Sequence, residues 1–266
     1  MSWTLLSPLL IVVAALVLIG LERLLPYEPR QRLFRPEFWS DLLLYTFAQS
    51  YVLGLVINQL ILWIDDASGM SRWHVVTDWP VGLQFLFFFV THDLYIYVFH
   101  RLQHRVPVLW RLHEAHHSTT DVDWLSGSRS HALEILVNQT IEFAPIVLLG
   151  AHPDVALMKG TLDAVWGMYI HSNINVRAGW LQFVLNGPEM HRWHHAKEVE
   201  DGHLNYATKL ALWDWLFGTA YLPRHKPAAY GMYGYDVPPG YLAQFVFAFR
   251  PFSRPLSPRS SLRKAS

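Results

Sequence analysis

The chain has 266 residues, of which 52% are hydrophobic and 16% are charged, and its formal net charge is zero. A charged fraction this far below that of a typical soluble domain indicates a membrane protein, of one or two domains by length. The neutral balance gives no indication of a nucleic-acid partner. Because the sequence contains no cysteine, disulfides, iron–sulfur clusters and thiolate-ligated haem within this chain are excluded.

Three apolar runs predict membrane-spanning helices. Residues 5–21 carry no charge, and this length is barely enough to cross a hydrocarbon layer of about 30 Å. The uncharged start and bulky end of this run favour a retained helix over a cleaved signal peptide. Residues 38–64 form the second run and residues 79–99 the third, with a break at residues 65–69. Asp93 lies within the third run, where it predicts either a contact that orients a histidine ligand or a polar helix-packing contact.

Residues 132–150 and 154–171 predict a helical hairpin that is broken at His152 and Pro153. Each arm approaches the length of a span but carries polar and charged residues. We therefore expect a spanning or re-entrant hairpin that packs against the first three helices. Beyond residue 173 no run is long enough to cross. Pro188 is well placed near a helix start, and the tail after Phe249, rich in Arg, Ser and Pro, has a composition typical of disorder.

Four arginines between the first two runs predict the orientation. They are Arg23, Arg30, Arg32 and Arg35. By the positive-inside rule this loop is cytoplasmic, and the end of the third run then lies on the same side. We expect residues 1–78 to form two transmembrane helices and their connecting loop, residues 79–222 the functional core, and residues 223–266 an interfacial segment with a disordered basic tail.

Histidines recur in three short clusters, here called boxes. Box one is His100 and His104, box two is His113, His116 and His117, and box three is His191, His194 and His195. Residues at i, i+3 and i+4 share a helix face, so we expect each box to present its imidazoles together. Eight neutral imidazoles exceed what one four-coordinate zinc needs and suit two metal ions. The predicted fold is all-α: a multi-pass transmembrane bundle with a cytoplasmic histidine-rich cap that holds a di-metal site.

Two other interpretations remain open at this point. His113, Glu114 and His117 also satisfy the HExxH pattern of zinc proteases, in which the glutamate is the general base. That pattern leaves His116 and the other two boxes unexplained. A membrane protein that binds metal or haem without catalysis is the second alternative, but bis-histidine haem does not require three boxes. His74, His152, His203 and His225 belong to no box, and we expect them at the surface or in loops.

The boxes and their surroundings resemble the fatty acid hydroxylase/sterol desaturase superfamily of membrane-bound di-iron oxygenases. The resemblance covers roughly residues 85–220 and rests on segments 93–104, 109–118, 129–134, 171–174, 188–195, 205–206 and 213–219. It implies that the eight box histidines bind two irons and that His171 is a further ligand. His131 is similar to a recurrent histidine of the family. Asp93, His131 and Asp214 are candidates for contacts that support the ligands. Ala132 and Ala207 depart from the family pattern, where proline and glycine are usual.

The resemblance also implies an O2-dependent hydroxylase or desaturase of a sterol, fatty acyl chain, carotenoid or ether lipid. We expect the lipid to reach the site from the bilayer between the second and third helices and the hairpin. Because the chain lacks cysteine and a dinucleotide-binding glycine motif, the electrons should come from a separate donor. Such a donor is a cytochrome or a ferredoxin with an NAD(P)H reductase. A bacterial inner membrane is favoured over the endoplasmic reticulum.

Overall fold

The computed structural model describes residues 2–199 and 203–251. Within these residues the fold is helical and contains no strand, in agreement with the predicted all-α class. The helices are α1 (Trp3–Leu24), a π-helical segment (Ser40–Gln49) that continues into α2 (Ser50–Ser68), α3 (Val81–Gln103), α4 (Pro107–His117), α5 (Ala132–Leu148), α6 (Pro153–His171), α7 (Pro188–His194), α8 (Leu212–Leu216) and α9 (Tyr241–Phe247). Short 3₁₀ turns occupy Met70–Trp73, Ser126–Ser128 and Gly179–Phe183.

Among the described residues, three helices are long and apolar enough to cross a membrane: Trp3–Leu24, Ser40–Ser68 and Val81–Gln103. They coincide with the three predicted runs. The third extends four residues past its predicted end because no helix breaker follows residue 99 until Pro107, which begins α4. Box one therefore lies on the last turn of the third candidate span and at its C-cap. The disorder predicted after Phe249 falls mostly outside the described residues.

The hairpin of α5 and α6 runs the length of the bundle. α1 packs along α6, α2 packs along α5, and α3 contacts both arms. The tip reaches the loop that joins α2 to α3, where the N–H of Val76 donates to the carbonyl of Leu149 at 3.1 Å. Gly150 has a φ of 73° there, and a Cβ on it would lie 2.7 Å from Oγ1 of Thr77. The tip thus requires glycine and lies at the end of the bundle away from the histidine boxes.

Buried ion pairs join the candidate spans to the cap. The cap consists of α4, α7, α8 and the loops beside them. Arg35 pairs with Asp123 and Asp41, each at 2.8 Å, so this arginine of the predicted positive loop is folded into the protein. Arg129 pairs with the same Asp41 at 2.8 Å. Removing one partner of such a buried pair would leave an uncompensated charge, which costs about 3–5 kcal/mol. These contacts hold the loop before α5 firmly against the start of the π-helical segment.

Candidate metal centre

Four helices end at one place in the cap, and each brings histidines there. α3 supplies box one, α4 supplies box two, α6 ends at His171, and α7 with its C-cap supplies box three. α4 and α7 both begin with proline at their first turn, which fixes where each helix starts and therefore where it ends. A helix C-terminus carries partial negative charge and favours a cation nearby. The convergence of four such ends suits a positively charged group.

Among the described residues, the nine histidines predicted as ligands form two groups, in each of which the ligand atoms lie within 4.8 Å of one another. The first group is His100, His104, His113, His117 and His194. The second group is His116, His171, His191 and His195. All nine side chains are buried.

Each HxxHH box is divided between the two groups, which the sequence did not predict. In box two, His113 and His117 belong to the first group and His116 to the second. In box three, His191 and His195 belong to the second group and His194 to the first. Residues i and i+4 lie nearly above one another on a helix, whereas adjacent residues point about 100° apart. Boxes two and three therefore each contribute histidines to both groups.

The protein fixes the orientation of five rings through Nδ1. This nitrogen donates to a backbone carbonyl in four of them: from His100 to Tyr206 at 2.7 Å, from His116 to Arg129 at 3.0 Å, from His171 to Gly167 at 2.7 Å, and from His194 to Leu204 at 2.8 Å. His113 donates instead to a carboxylate oxygen of Glu134 at 3.0 Å. With Nδ1 protonated, the Nε2 lone pair of each ring is directed to the centre. This is the usual arrangement of histidine ligands.

The donor atoms fit metal ions. Nε2 of His191 lies 2.9 Å from Nε2 of His171 and 3.1 Å from Nε2 of His195. Nitrogens bound to one ion at about 2.1 Å and at right angles lie about 3.0 Å apart. In addition, Nε2 of His117 and Nε2 of His194 are buried without a hydrogen-bond partner. Such orphaned acceptors are costly unless a cation binds them.

The electrostatic environment keeps these imidazoles neutral. Burial, followed by repulsion from neighbouring imidazoles, lowers the pKa of His117, His191 and His195 well below the usual value near 6.5. Burial likewise lowers the pKa of His194 to about 3. A neutral imidazole retains the lone pair that a metal needs, so the site is prepared for a cation at neutral pH.

The three residues predicted to support the ligands make different contacts. Asp214 accepts the backbone N–H groups of Tyr206 and Ala207 at 2.8 and 3.0 Å, and thereby holds the carbonyl that receives His100. Asp93 accepts from the backbone of Lys209 and Leu210 and from Nε1 of Trp213, rather than from a histidine. Of the two roles predicted for Asp93, the polar packing contact is the one present.

His131 lies apart from both groups. It caps the start of α5, where Nδ1 accepts the N–H of Leu133 at 3.1 Å, and its ring stacks on Phe245. The histidines outside the boxes that were expected at the surface or in loops, namely His74, His152, His203 and His225, are exposed. Glu114 of the HExxH pattern accepts from Tyr235 at 2.7 Å and pairs with Arg250 at 2.6 Å. A carboxylate so engaged is poorly suited to act as a general base.

Two features of the site were missed. Glu134 orients His113, and its signal was a carboxylate in the first turn of an apolar helix, inside a segment that matches the family. Gly127 approaches the ring of His171 so closely that a Cβ would lie 2.5 Å from Nδ1. Nothing in the local sequence indicates this approach, because Gly127 and His171 are brought together by the fold.

A cavity of about 540 Å³ extends from the histidines into the bundle. At one end it is lined by His100, His113, His116, His171 and His191, together with Glu134. It continues between α5 and α6 to Glu142 and Asp163, and its sides include Ile11 of α1 and Thr46 of the π-helical segment. Because its walls mix apolar and polar side chains, the cavity can hold an amphipathic molecule with one atom near the histidines.

Taken together, the helical fold, the candidate spans and the buried histidine groups define a membrane protein with a candidate metal centre. A family model described as fatty acid hydroxylase matches residues 85–219. Ornithine lipid hydroxylase OlsE of Rhizobium tropici is 31% identical over 240 residues, which cover 88% of this chain and 71% of that protein. The chain belongs to the fatty acid hydroxylase family and is an oxidoreductase, as the resemblance in its boxes predicted.

Other relatives match little more than half of the chain. Human alkylglycerol monooxygenase is 31% identical over 144 residues, which cover 54% of this chain and 32% of that protein. Rat methylsterol monooxygenase 1 is 27% identical over 156 residues, which cover 58% of this chain and 50% of that protein. No solved structure gave a significant match. The names of these relatives specify different lipids.

Proposed function

We propose that the protein is an O2-dependent di-iron oxygenase that hydroxylates a membrane lipid. The observation that carries this proposal is the pair of buried histidine groups at one end of the cavity. Relatives named hydroxylases and monooxygenases favour hydroxylation over desaturation. Two bound irons would bind O2 and supply electrons to it, so that oxygen can attack an unactivated C–H bond. The histidines of the first group would hold one ion and those of the second group the other.

The residues around the histidines have separate tasks. Glu134 and the carbonyls of Tyr206 and Arg129 fix the ring orientations of three ligands. Burial of all nine side chains excludes bulk water from the site, which protects a reactive oxidant from side reactions. The walls of the cavity position one carbon of the lipid next to the histidine groups, and this positioning determines which C–H bond reacts.

The reaction requires electrons from another protein. Hydroxylation converts the substrate, O2, two electrons and two protons into the alcohol and water. No cysteine is present to carry an iron–sulfur cluster. We therefore assign the electrons to a separate cytochrome or ferredoxin with an NAD(P)H reductase, which reaches the cap from the water side.

The substrate we favour is a polar membrane lipid. The cavity is lined by Thr46, Asn138, Glu142, Asp163 and Lys209 as well as by apolar side chains. The hydroxyl of Thr46 and the amide oxygen of Asn138 are buried without a hydrogen-bond partner in the protein. Covering them with hydrocarbon alone would leave them unpaired, which is costly. An amino-acid-containing lipid such as ornithine lipid, which one relative is named for, is the first compound to assay.

We further propose that the protein lies in a bacterial inner membrane with the histidines on the cytoplasmic side. The loop with the four arginines and the histidine groups are at the same end of the bundle, since Pro26 pairs with Ile174 just after α6. Single-cysteine variants of this cysteine-free chain test the orientation. Arg32→Cys should react with an impermeant maleimide only in inside-out vesicles, and Arg72→Cys only in right-side-out vesicles. The reverse pattern would refute the proposed orientation.

The activity is tested with iron-loaded protein in lipid nanodiscs, a ferredoxin, its reductase and NADPH under ¹⁸O2. Ornithine lipid, alkylglycerol, sterol and free fatty acid are compared by mass spectrometry. We expect one ¹⁸O atom in one lipid class, and none with His191→Ala. Unchanged lipids from protein that carries iron and is reduced by the ferredoxin would contradict the proposal. Protein from iron-fed cells that holds one zinc and no iron would favour the hydrolase alternative.

A further inference from the structure

An exposed apolar surface lies on the cap, outside the candidate spans. It comprises the large side chains of two short segments and is here called the cap patch: Trp180, Leu181, Phe183, Val184, Leu212, Trp215, Leu216 and Phe217. Trp180 is 73% exposed and Leu216 is 65% exposed. Exposed apolar surfaces of this extent mark a region that contacts a partner or a membrane.

The two segments form one surface. Nε1 of Trp215 donates to the carbonyl of Gln182 at 2.9 Å, and the rings of Phe183 and Trp215 are 4.7 Å apart. Residues 178–187 contain no charged residue, and residues 210–223 contain only Asp214. The carboxylate of Asp214 is buried against backbone N–H groups, so it does not reach the patch. The patch therefore presents no charge of its own.

The patch lies beside a membrane-spanning helix, well before that helix ends. Trp213 donates to Asp93 at 2.9 Å, and the ring of Phe217 stacks on Tyr97 at 5.3 Å. α3 ends at Gln103. At a rise of 1.5 Å per residue, Asp93 lies about 15 Å and Tyr97 about 9 Å before this end, measured along the helix axis. The outer face of α3 remains apolar and exposed at Val98 and Leu102, beyond this level. α8 therefore lies at a depth where α3 itself faces lipid.

A basic edge borders the patch at the level where α1 ends. Arg177, 64% exposed at its side chain, donates to the carbonyl of Arg224 at 3.2 Å. Lys226 donates to the carbonyl of Tyr27 at 2.5 Å, and Tyr27 follows α1 by three residues. Cations and tryptophans at this boundary are typical of the headgroup region, with apolar side chains beneath them.

We infer that the cap patch is inserted in the lipid bilayer, as a membrane-embedded segment that does not span. The lipid is favoured over a protein partner because the patch is continuous with the apolar outer face of α3 and is edged by cations at headgroup level. Insertion connects the bilayer to the candidate metal centre. α8 carries Asp214, which fixes the backbone of Tyr206, whose carbonyl receives His100. This inference does not depend on the proposed reaction.

Site-directed spin labelling tests the insertion, since the native chain has no cysteine. Leu216→Cys and Phe183→Cys are labelled with a nitroxide in nanodiscs of phosphatidylethanolamine and phosphatidylglycerol. Leu16→Cys on the exposed face of α1 serves as the lipid-facing control, and Lys197→Cys on the cap as the water-facing control. Collision rates are measured with O2, which partitions into lipid, and with a polar nickel chelate, which stays in water.

We expect the labels at residues 216 and 183 to match the label at residue 16, with high O2 and low nickel collision rates. Rates like those at residue 197 would refute insertion. Low collision rates with both reagents would also refute it, because they mean that protein covers the patch. Cross-linking through the same cysteines would then identify a second copy of the chain or a redox protein. Size-exclusion chromatography and thermal unfolding of each labelled variant check that the protein is folded.

Discussion

Replacement of Gly127 by alanine tests the candidate metal centre with one added methyl group. A Cβ at this position would lie 2.5 Å from Nδ1 of His171 and 2.9 Å from its Cε1 and Cγ. An ordinary contact is about 3.5 Å or more, so the ring must move by about 1 Å. The ring of His171 cannot move without losing a hydrogen bond, because its Nδ1–H donates to the carbonyl of Gly167 at 2.7 Å.

The expected result is selective. His171 belongs to the second histidine group. Its Nε2 lies 2.9 Å from Nε2 of His191 and 3.3 Å from Nε2 of His116. Gly127→Ala should therefore lose about half of the bound iron, and a misplacement of this size should reduce product formation by about 100-fold. Gly54→Ala is the matched control, since a Cβ on Gly54 meets nothing within 4 Å.

Bound iron is measured by inductively coupled plasma mass spectrometry after exposure to a series of chelator concentrations. Mössbauer spectroscopy of iron-57 protein reports whether the remaining iron is still coupled to a second ion. Size-exclusion chromatography and thermal unfolding check that both glycine variants are folded. A folded Gly127→Ala protein with full iron content and wild-type activity would refute the placement of His171 among the ligands. Equal losses in Gly54→Ala would show that the effect is not local.

Four further outcomes follow from the same geometry. Glu134→Gln weakens the hydrogen bond that orients His113 and should lower the iron affinity of the first group by about 10–100-fold. The affinity is measured by competition with a chelator, and Glu28→Gln is the control. An iron affinity of Glu134→Gln equal to that of the control would contradict this role. Asp214→Asn should lower both product formation and the midpoint temperature of unfolding, because the Tyr206 carbonyl is no longer fixed. An unchanged midpoint temperature would argue that Asp214 does not act through the backbone of Tyr206. Glu114→Gln should leave hydroxylation within a few-fold of wild type, whereas its abolition would revive a general-base role. Removal of metal by a chelator should lower the thermal midpoint, and Zn²⁺ should restore the midpoint without restoring activity; activity with zinc would exclude iron chemistry.

The local signals in the sequence were strong enough to predict the helical elements. Apolar runs of sufficient length predicted the three candidate spans because the bilayer sets the length that a helix needs. The bend at His152 and Pro153 predicted the hairpin, since proline cannot continue the first arm. The end of the third span was misplaced by four residues, because residues 100–103 are compatible with a helix and their polarity alone does not end one.

The contacts of the predicted supporting residues depend on the tertiary structure. Asp214 was anticipated through resemblance, and it acts through the backbone of Tyr206. Asp93 accepts from the backbone of Lys209 and Leu210, and His131 caps α5, so the hydrogen bonds of these two side chains go to the backbone and not to a histidine of the two groups. Such roles depend on which groups the fold brings within about 3 Å, and sequence spacing carries no information about that distance.

The sequence by itself determined which residues could serve as ligands and on which helices they lie, because the i, i+3 and i+4 spacing is a property of a single helix. Only the tertiary structure decided how the boxes combine. It divided each HxxHH box between two groups, placed His171 beside His116 and His191, and brought Gly127 against the ring of His171. These contacts join helices that are far apart in the chain, and they arise from packing, which no local pattern encodes.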